Sequence, residues 1–142
     1  MTFDADCIFC KIIKGEIPSF RILEDGSTLA FMDINPGNAG HALVIPKYHT
    51  PDFLEAPEDW LSATMVTAQK VARAVEKTLE PHGINIVVAH GAGAAQSVFH
   101  LHVHVLPRAE GDDLRLNWGL VPGDMDAIGE LAERIKANMG VL

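Results

Sequence analysis

A chain of 142 residues has room for one domain around one core, and little more. Hydrophobic residues make up 48% and charged residues 21%, a globular balance rather than a disordered one. Eleven Lys and Arg against nineteen Asp and Glu leave a formal charge of −8, which argues against nucleic acid as a partner, since phosphate neutralisation needs a clustered positive surface. No apolar stretch reaches the roughly 18 residues of a membrane span. The acidic start Met1-Thr2-Phe3-Asp4 is not a signal peptide, so no membrane is expected and the cytoplasm is the expected compartment. Two cysteines rule out a disulfide framework and suit a reducing environment.

In chain order, Lys11 to Ile17 reads as a short helix or turn with Ile8, Phe9, Ile12 and Ile13 as an apolar face, ended by Pro18. Arg21 to Glu24 and Thr28 to Ile34 are expected as a hairpin around Asp25-Gly26, closed by the turn Asn35-Pro36-Gly37. Ala42 to Ile45 is a short apolar strand bounded by Pro46. Pro57 to Glu80 is the clearest helix, with Leu61, Met65, Ala68, Ala72, Val75 and Leu79 at steps of three and four. Pro81-His82-Gly83 stops it. Ile84 to Ala89 is a β-branched strand, Gly91 to Ala95 a loop of small residues, and Val98 to Leu106 another strand. Asp124 to Met139 is a last helix, with Ile128, Leu131, Ala132, Ile135 and Met139 on one side. Strands in hairpin order around one long helix indicate an α+β fold on an antiparallel sheet.

The segment Val98-Phe99-His100-Leu101-His102-Val103-His104-Val105-Leu106 is the most informative. Alternation along a strand places three imidazoles on one face, and Phe99, Leu101, Val103 and Val105 on the other. Same-face neighbours stand about 6.6–7 Å apart, whereas two ligands of one zinc ion lie within about 4.2 Å. Adjacent histidines of the run therefore suit nucleophilic and acid–base work better than a shared ion. Cys7-Ile8-Phe9-Cys10 has the spacing of a zinc half-site; a redox dithiol and two free thiols are the rival readings.

His100-Leu101-His102-Val103-His104-Val105-Leu106 resembles the signature of the histidine-triad (HIT) superfamily. The likeness extends to Cys7 through Pro18, to Phe31-Met32-Asp33-Ile34, to Gly40-His41-Ala42-Leu43-Val44-Ile45-Pro46-Lys47, and to Gln96-Ser97-Val98-Phe99. It is nearest to the HINT-like branch of bacterial type. The match covers most of residues 7–108, within a single HIT domain over 1–142 whose C-terminal extension is 109–142.

This resemblance implies a HIT-like α+β fold: an antiparallel five-stranded sheet with two helices, paired into a homodimer. It implies a purine nucleotide phosphoramidase or nucleotidyl hydrolase acting at the α-phosphate. His102 would be the nucleophile and form a nucleotidyl-histidine that water cleaves. His104 would hold phosphate oxygens, while His100 and His41 orient the nucleophile or the leaving group. Gln96 and Ser97 would donate near the phosphate, and Asp33 would accept from the ribose hydroxyls, with a simple Asx-type turn as its plainer reading. Ile8, Phe9, Ile17, Phe31 and Ile34 would form the slot for the base; ordinary core packing is the plainer reading of those five. The resemblance also implies a structural zinc ion on Cys7, Cys10, His49 and His100, with no metal needed for catalysis. A dinucleoside polyphosphate hydrolase and a non-catalytic nucleotide- or zinc-binding interaction module are the alternatives. Two positions depart from the family pattern: Ala89, beside His90, stands where Asn is usual, and Ala95 where Gly is usual.

Overall fold

The computed structural model describes residues 2–116 and 118–140. They form two compact units, Met1–Asp112 and Asp113–Leu142. The first contains α1 (Ile8–Lys14), β1 (Arg21–Glu24), β2 (Thr28–Met32), β3 (Ala42–Pro46), α2 (Glu58–Leu79), β4 (Gly83–Val87), a 3-10 turn at Ala92–Ala94 and β5 (Val103–Arg108). The five strands make one antiparallel sheet in the order β1-β2-β3-β5-β4. The second unit carries α3 (Met125–Met139), N-capped by the Asp124 carboxylate, with no residue buried. The described residues thus hold three α-helices where the resemblance implies two. Among the described residues no helix is long and apolar enough to cross a membrane.

Strand alternation divides the core into two layers. Leu29, Phe31, Leu43 and Ile45 face α1 and pack with Phe9, Cys10 and Ile12. Ala30, Ala42, Val44, Val103 and Val105 face α2 and pack with Ala68 and Val71. Small side chains on that second face let the long helix lie close to the sheet.

Local chemistry sets the corners. Asp25 closes the β1–β2 hairpin, its Oδ1 accepting from the Ser27 and Thr28 N–H groups at 2.8 and 2.7 Å, as an Asx turn requires. The first helix begins earlier than the apolar pattern indicates, because the Cys7 sulfur accepts from the Cys10 N–H and caps it. It stops at Gly15, which takes the left-handed conformation at φ 80°. Gly40 has φ +89°, and a Cβ there would run into the Leu79 side chain, so only glycine lets the chain enter β3 beneath α2.

The strand expected over Val98 to Leu106 begins at Val103. The register pairs Ala42 with Val105 and Val44 with Val103. Two residues further along, β3 reaches Pro46, which has no N–H to continue the ladder. The backbone before Val103 instead leaves the sheet, and the Leu101 N–H donates to the Thr50 carbonyl at 2.8 Å. Leu101, Val103 and Val105 are buried as the alternation requires, but Phe99 is 53% exposed and lies outside the core.

Candidate active site and metal centre

The start of β3 and the run into β5 bring the His41, His102 and His104 rings together on the α1 side of the sheet. His104 lies in β5 between Leu43 of β3 and Val87 of β4. Its ring centroid is 5.0 Å from that of His102 and 5.1 Å from that of His41. Phe9 meets the His102 ring edge-on at 5.2 Å. His41, His100 and His102 are all buried. Burial pulls the His41 and His102 rings below their ordinary values. It takes His104 down to about 4, with help from repulsion by His102 and His41. At neutral pH these rings therefore carry no charge, and each has one N–H and one lone pair.

The hydrogen-bond partners then assign each tautomer. His102 Nδ1 is 2.7 Å from the His100 carbonyl oxygen, so Nδ1 holds the proton and Nε2 keeps its lone pair. The Gly37 N–H donates to His41 Nδ1 at 2.9 Å, so the His41 proton sits on Nε2. That Nε2–H reaches His104 Nδ1 at 2.8 Å, leaving the His104 proton on Nε2. The site thus presents one unshared pair, on His102 Nε2, beside one N–H donor, on His104 Nε2. Asp33 Oδ2 stands 3.6 Å from His41 Nε2.

His100 turns away from this group. Its Nε2 lies 2.9 Å from the Pro46 carbonyl oxygen, which puts the proton there and a lone pair on Nδ1. Nδ1 faces Cys7 Sγ at 3.4 Å, Cys10 Sγ at 3.6 Å and His49 Nδ1 at 3.3 Å; Cys10 Sγ to His49 Nδ1 is 3.4 Å. A tetrahedral zinc ion with ordinary bond lengths demands S···N edges of about 3.5 Å and an N···N edge of about 3.3 Å. The four donors match that geometry and fit zinc. Burial pushes the Cys10 thiol up to about 11, so a cation is what would draw off its proton. The Asp4 N–H approaches Cys10 Sγ at 3.5 Å, and Asp4 Oδ2 lies 3.8 Å from His49 Nε2, partners of the kind that steady zinc ligands.

Asp33, His41 and His104 form a second group with potential ligand atoms within 4.8 Å of one another. The Gly37 N–H disqualifies it. His41 Nδ1 is already an acceptor there, so Nε2 must keep its proton and cannot also bind a metal as a neutral imidazole.

The expected base slot divides. Phe9 and Phe31 are buried and meet edge to face at 5.6 Å, and Ile17 is partly buried against them. Ile8 and Ile34 are exposed at 47% and 75%. Ser97 is exposed. Gln96 is 4% exposed and fully engaged: its Oε1 accepts from the Gly91 N–H at 2.9 Å, and its Nε2 donates to the Pro51 and Val98 carbonyls at 2.7 and 3.1 Å. Both amide hydrogens are therefore spent on backbone carbonyls, so Gln96 clamps the loop and does not aim a donor outward, contrary to the sequence expectation. Ala95, just before it, holds φ 65°. His90 Nδ1 pairs with Asp52 Oδ2 at 3.1 Å. Sequence reasoning missed Gly37, Pro46 and Pro51, because they act through backbone groups, a carbonyl at Pro46 and Pro51 and an N–H at Gly37, which side-chain identity does not mark. Asp4 was missed as well; its only signal was a carboxylate close before the cysteine pair.

The fold and site define a histidine-triad arrangement, and comparison with known proteins agrees. Residues 14–111 match the HIT domain, and the chain belongs to that family. It is 40% identical over 139 residues to adenosine 5'-monophosphoramidase HNT1 of Saccharomyces cerevisiae, covering 97% of this chain and 85% of that protein. The crystal structure of SMU.412c from Streptococcus mutans superposes with a TM-score of 0.91 at 38% identity, covering 96% of this chain and 87% of that one. A zinc-bound histidine-triad family protein from Mycobacterium smegmatis superposes with a TM-score of 0.73 at 37% identity, covering 96% of each.

Proposed function

We propose that the chain is a nucleotidyl hydrolase that releases a purine nucleoside 5'-monophosphate from a phosphoramidate, through a covalent bond between the α-phosphorus and His102 Nε2. The observation that carries this reading is the hydrogen bond of His102 Nδ1 to the His100 carbonyl, which leaves Nε2 as the unprotonated ring nitrogen. Attack by Nε2 forms the P–N bond to the enzyme as the P–N bond of the substrate breaks. The departing nitrogen takes the electron pair of that bond and a proton from solvent and leaves as ammonia or an amine; water then cleaves the nucleotidyl-histidine at phosphorus, releasing the nucleoside monophosphate and restoring the neutral His102 ring. His104 Nε2–H donates to a phosphate oxygen, which supplies positive potential where charge develops. His41 fixes the His104 ring, Ser97 offers a hydroxyl at the rim, and Asp33 accepts from the ribose. Phe9, Phe31 and Ile17 form the inner part of the base slot, with Ile8 and Ile34 at its mouth. The yeast relative named as an adenosine 5'-monophosphoramidase supports adenosine as one base accepted.

Cys7, Cys10, His49 and His100 hold a structural zinc ion in this reading, supported by the donor geometry and by the zinc-bound mycobacterial relative. The ion ties α1 to the sheet and takes no part in the displacement. Two chains pair, a reading supported by the exposed apolar side chains Met65, Val66, Leu79 and Ile86 on α2 and the edge strand β4. The test is release of AMP from adenosine 5'-phosphoramidate without added divalent metal, by wild type and by His102→Ala. Turnover is expected in the first and not in the second, with nucleotide binding kept in both. Equal rates would remove His102 from the mechanism. Binding without turnover in wild type would favour a binding module, and release confined to dinucleoside polyphosphates the other hydrolase.

A further inference from the structure

The nucleophile and the four-donor cluster meet in one residue. His100 sends its ring into the cluster and its carbonyl to His102 Nδ1. The stretch from Val98 to His102 is outside the sheet ladder. Its fastenings are the Leu101 N–H to Thr50, the Gln96 amide on the Val98 carbonyl, and the His100 ring between Pro46 and the cluster. Of these, the His100 ring is the one that sits on the residue whose carbonyl the nucleophile needs. The same cluster flanks Phe9 with Cys7 and Cys10, and Phe9 packs against the rings of both His100 and His102, at 5.9 and 5.2 Å.

We propose that the Cys7–Cys10–His49–His100 centre, when it holds zinc, sets the tautomer and orientation of His102, so that occupancy of the centre governs turnover and not only the stability of the fold. His100 is thereby a positioning residue that acts through its carbonyl, and His49 and the two cysteines act through His100. This inference rests on the zinc reading above. The physical reason is that a ring held by a metal on one nitrogen and by the Pro46 carbonyl on the other has no freedom to rotate, so the peptide carrying the His100 carbonyl is held as well. With the metal gone, the His100 ring is held on that side only by contacts of 3.3–3.6 Å with the two sulfurs and His49 Nδ1, which are weaker than bonds to a metal ion. The carbonyl is then free to turn from His102, whose proton can move to Nε2 and end its nucleophilicity.

The test uses the full chain, purified from zinc-replete cells, before and after a chelator, and the variant His49→Ala, which removes one ligand of the centre. Three quantities are read: bound zinc by atomic emission, the ¹⁵N shifts of the His102 ring, and kcat and KM on adenosine 5'-phosphoramidate. The expected result is one zinc per chain, lost on chelation and in the variant. His102 changes from one Nδ1–H form to a mixture, and kcat falls by about tenfold or more, in the range found when metal-supporting partners are removed. Added zinc restores the wild-type values. If zinc is bound and removable while the His102 shifts and kcat stay as they were, the inference is overturned and the zinc reading stands. A rise confined to KM would show that the centre only tethers α1 and would overturn it equally. Protein with no zinc overturns the zinc reading and the inference together.

Discussion

The Gln96 amide offers the sharpest separation between a structural and a chemical role. In Gln96→Ala three hydrogen bonds disappear, those to Gly91, Pro51 and Val98. At roughly 1 kcal/mol net for each bond, the loss is about 3 kcal/mol, and more where the abandoned Pro51 or Val98 carbonyl stays shielded from water. For a chain of this size about 4 °C of melting temperature accompanies each kcal/mol, so the midpoint should fall by about 12 °C. Nucleotide turnover should fall as well, because Ser97 follows directly and the loop from Gly91 loses its closure. Thermal unfolding followed by circular dichroism, alongside AMP release well below the new midpoint, measures both. A midpoint within about 2 °C of wild type, combined with a large loss of kcat, would refute the reasoning. It would show that the amide leaves Pro51 and Val98 to serve the substrate.

Two further outcomes follow from backbone and charge. Ala95 holds a left-handed φ of 65°, a conformation that costs a residue with a Cβ about 1 kcal/mol more than glycine. Ala95→Gly should therefore raise the melting temperature by a few degrees, and a lower one would show that the methyl group contributes packing that outweighs the strain. His104 has its folded value near 4 and His41 is lowered too, both chiefly by burial, while an unfolded histidine titrates near 6.5. The unfolded chain thus binds more protons between those values, so stability is fully present above about pH 6.5 and is lost as the pH falls towards about 4. Urea unfolding across that window should show the decline, and it should be shallower in His104→Gln. An equal slope in both proteins would assign the titration elsewhere.

The fold was legible where side-chain pattern governs it. Alternation in Thr28–Met32 and Ala42–Pro46 sorts Leu29, Phe31, Leu43 and Ile45 from Ala30, Ala42 and Val44 onto opposite layers. The spacing of Ala68, Val75 and Leu79 announces α2. The start of β5 was not legible from the run of alternating residues alone, because alternation continues through Phe99 and Leu101 after the hydrogen-bond ladder has ended. The signal lay on the neighbouring strand, in Pro46, and only the register shows that the two residues are opposite. The cysteine pair and the triad were visible as motifs. That His100 belongs with the cysteines and not with His102 and His104 could not be read from equal spacing, since all three alternate on one face.

What separates the three histidines is the acceptor or donor at the second ring nitrogen, and each differs in kind. His100 has the Pro46 carbonyl, His102 has the His100 carbonyl, and His104 has another imidazole, His41. A carbonyl can only accept, so it forces the proton onto the nitrogen it meets and leaves a lone pair on the other. An imidazole can do either, and here the Gly37 N–H decides the matter by occupying His41 Nδ1. One residue type at three alternate positions thus yields two lone pairs and one N–H, in three places, through backbone groups supplied by β3, by the turn before it and by the stretch that leads into β5. Replacing Gly37 by proline would remove that N–H and leave His41 free to reverse. His104 would then no longer be fixed as a donor at Nε2, although every triad side chain would still be present.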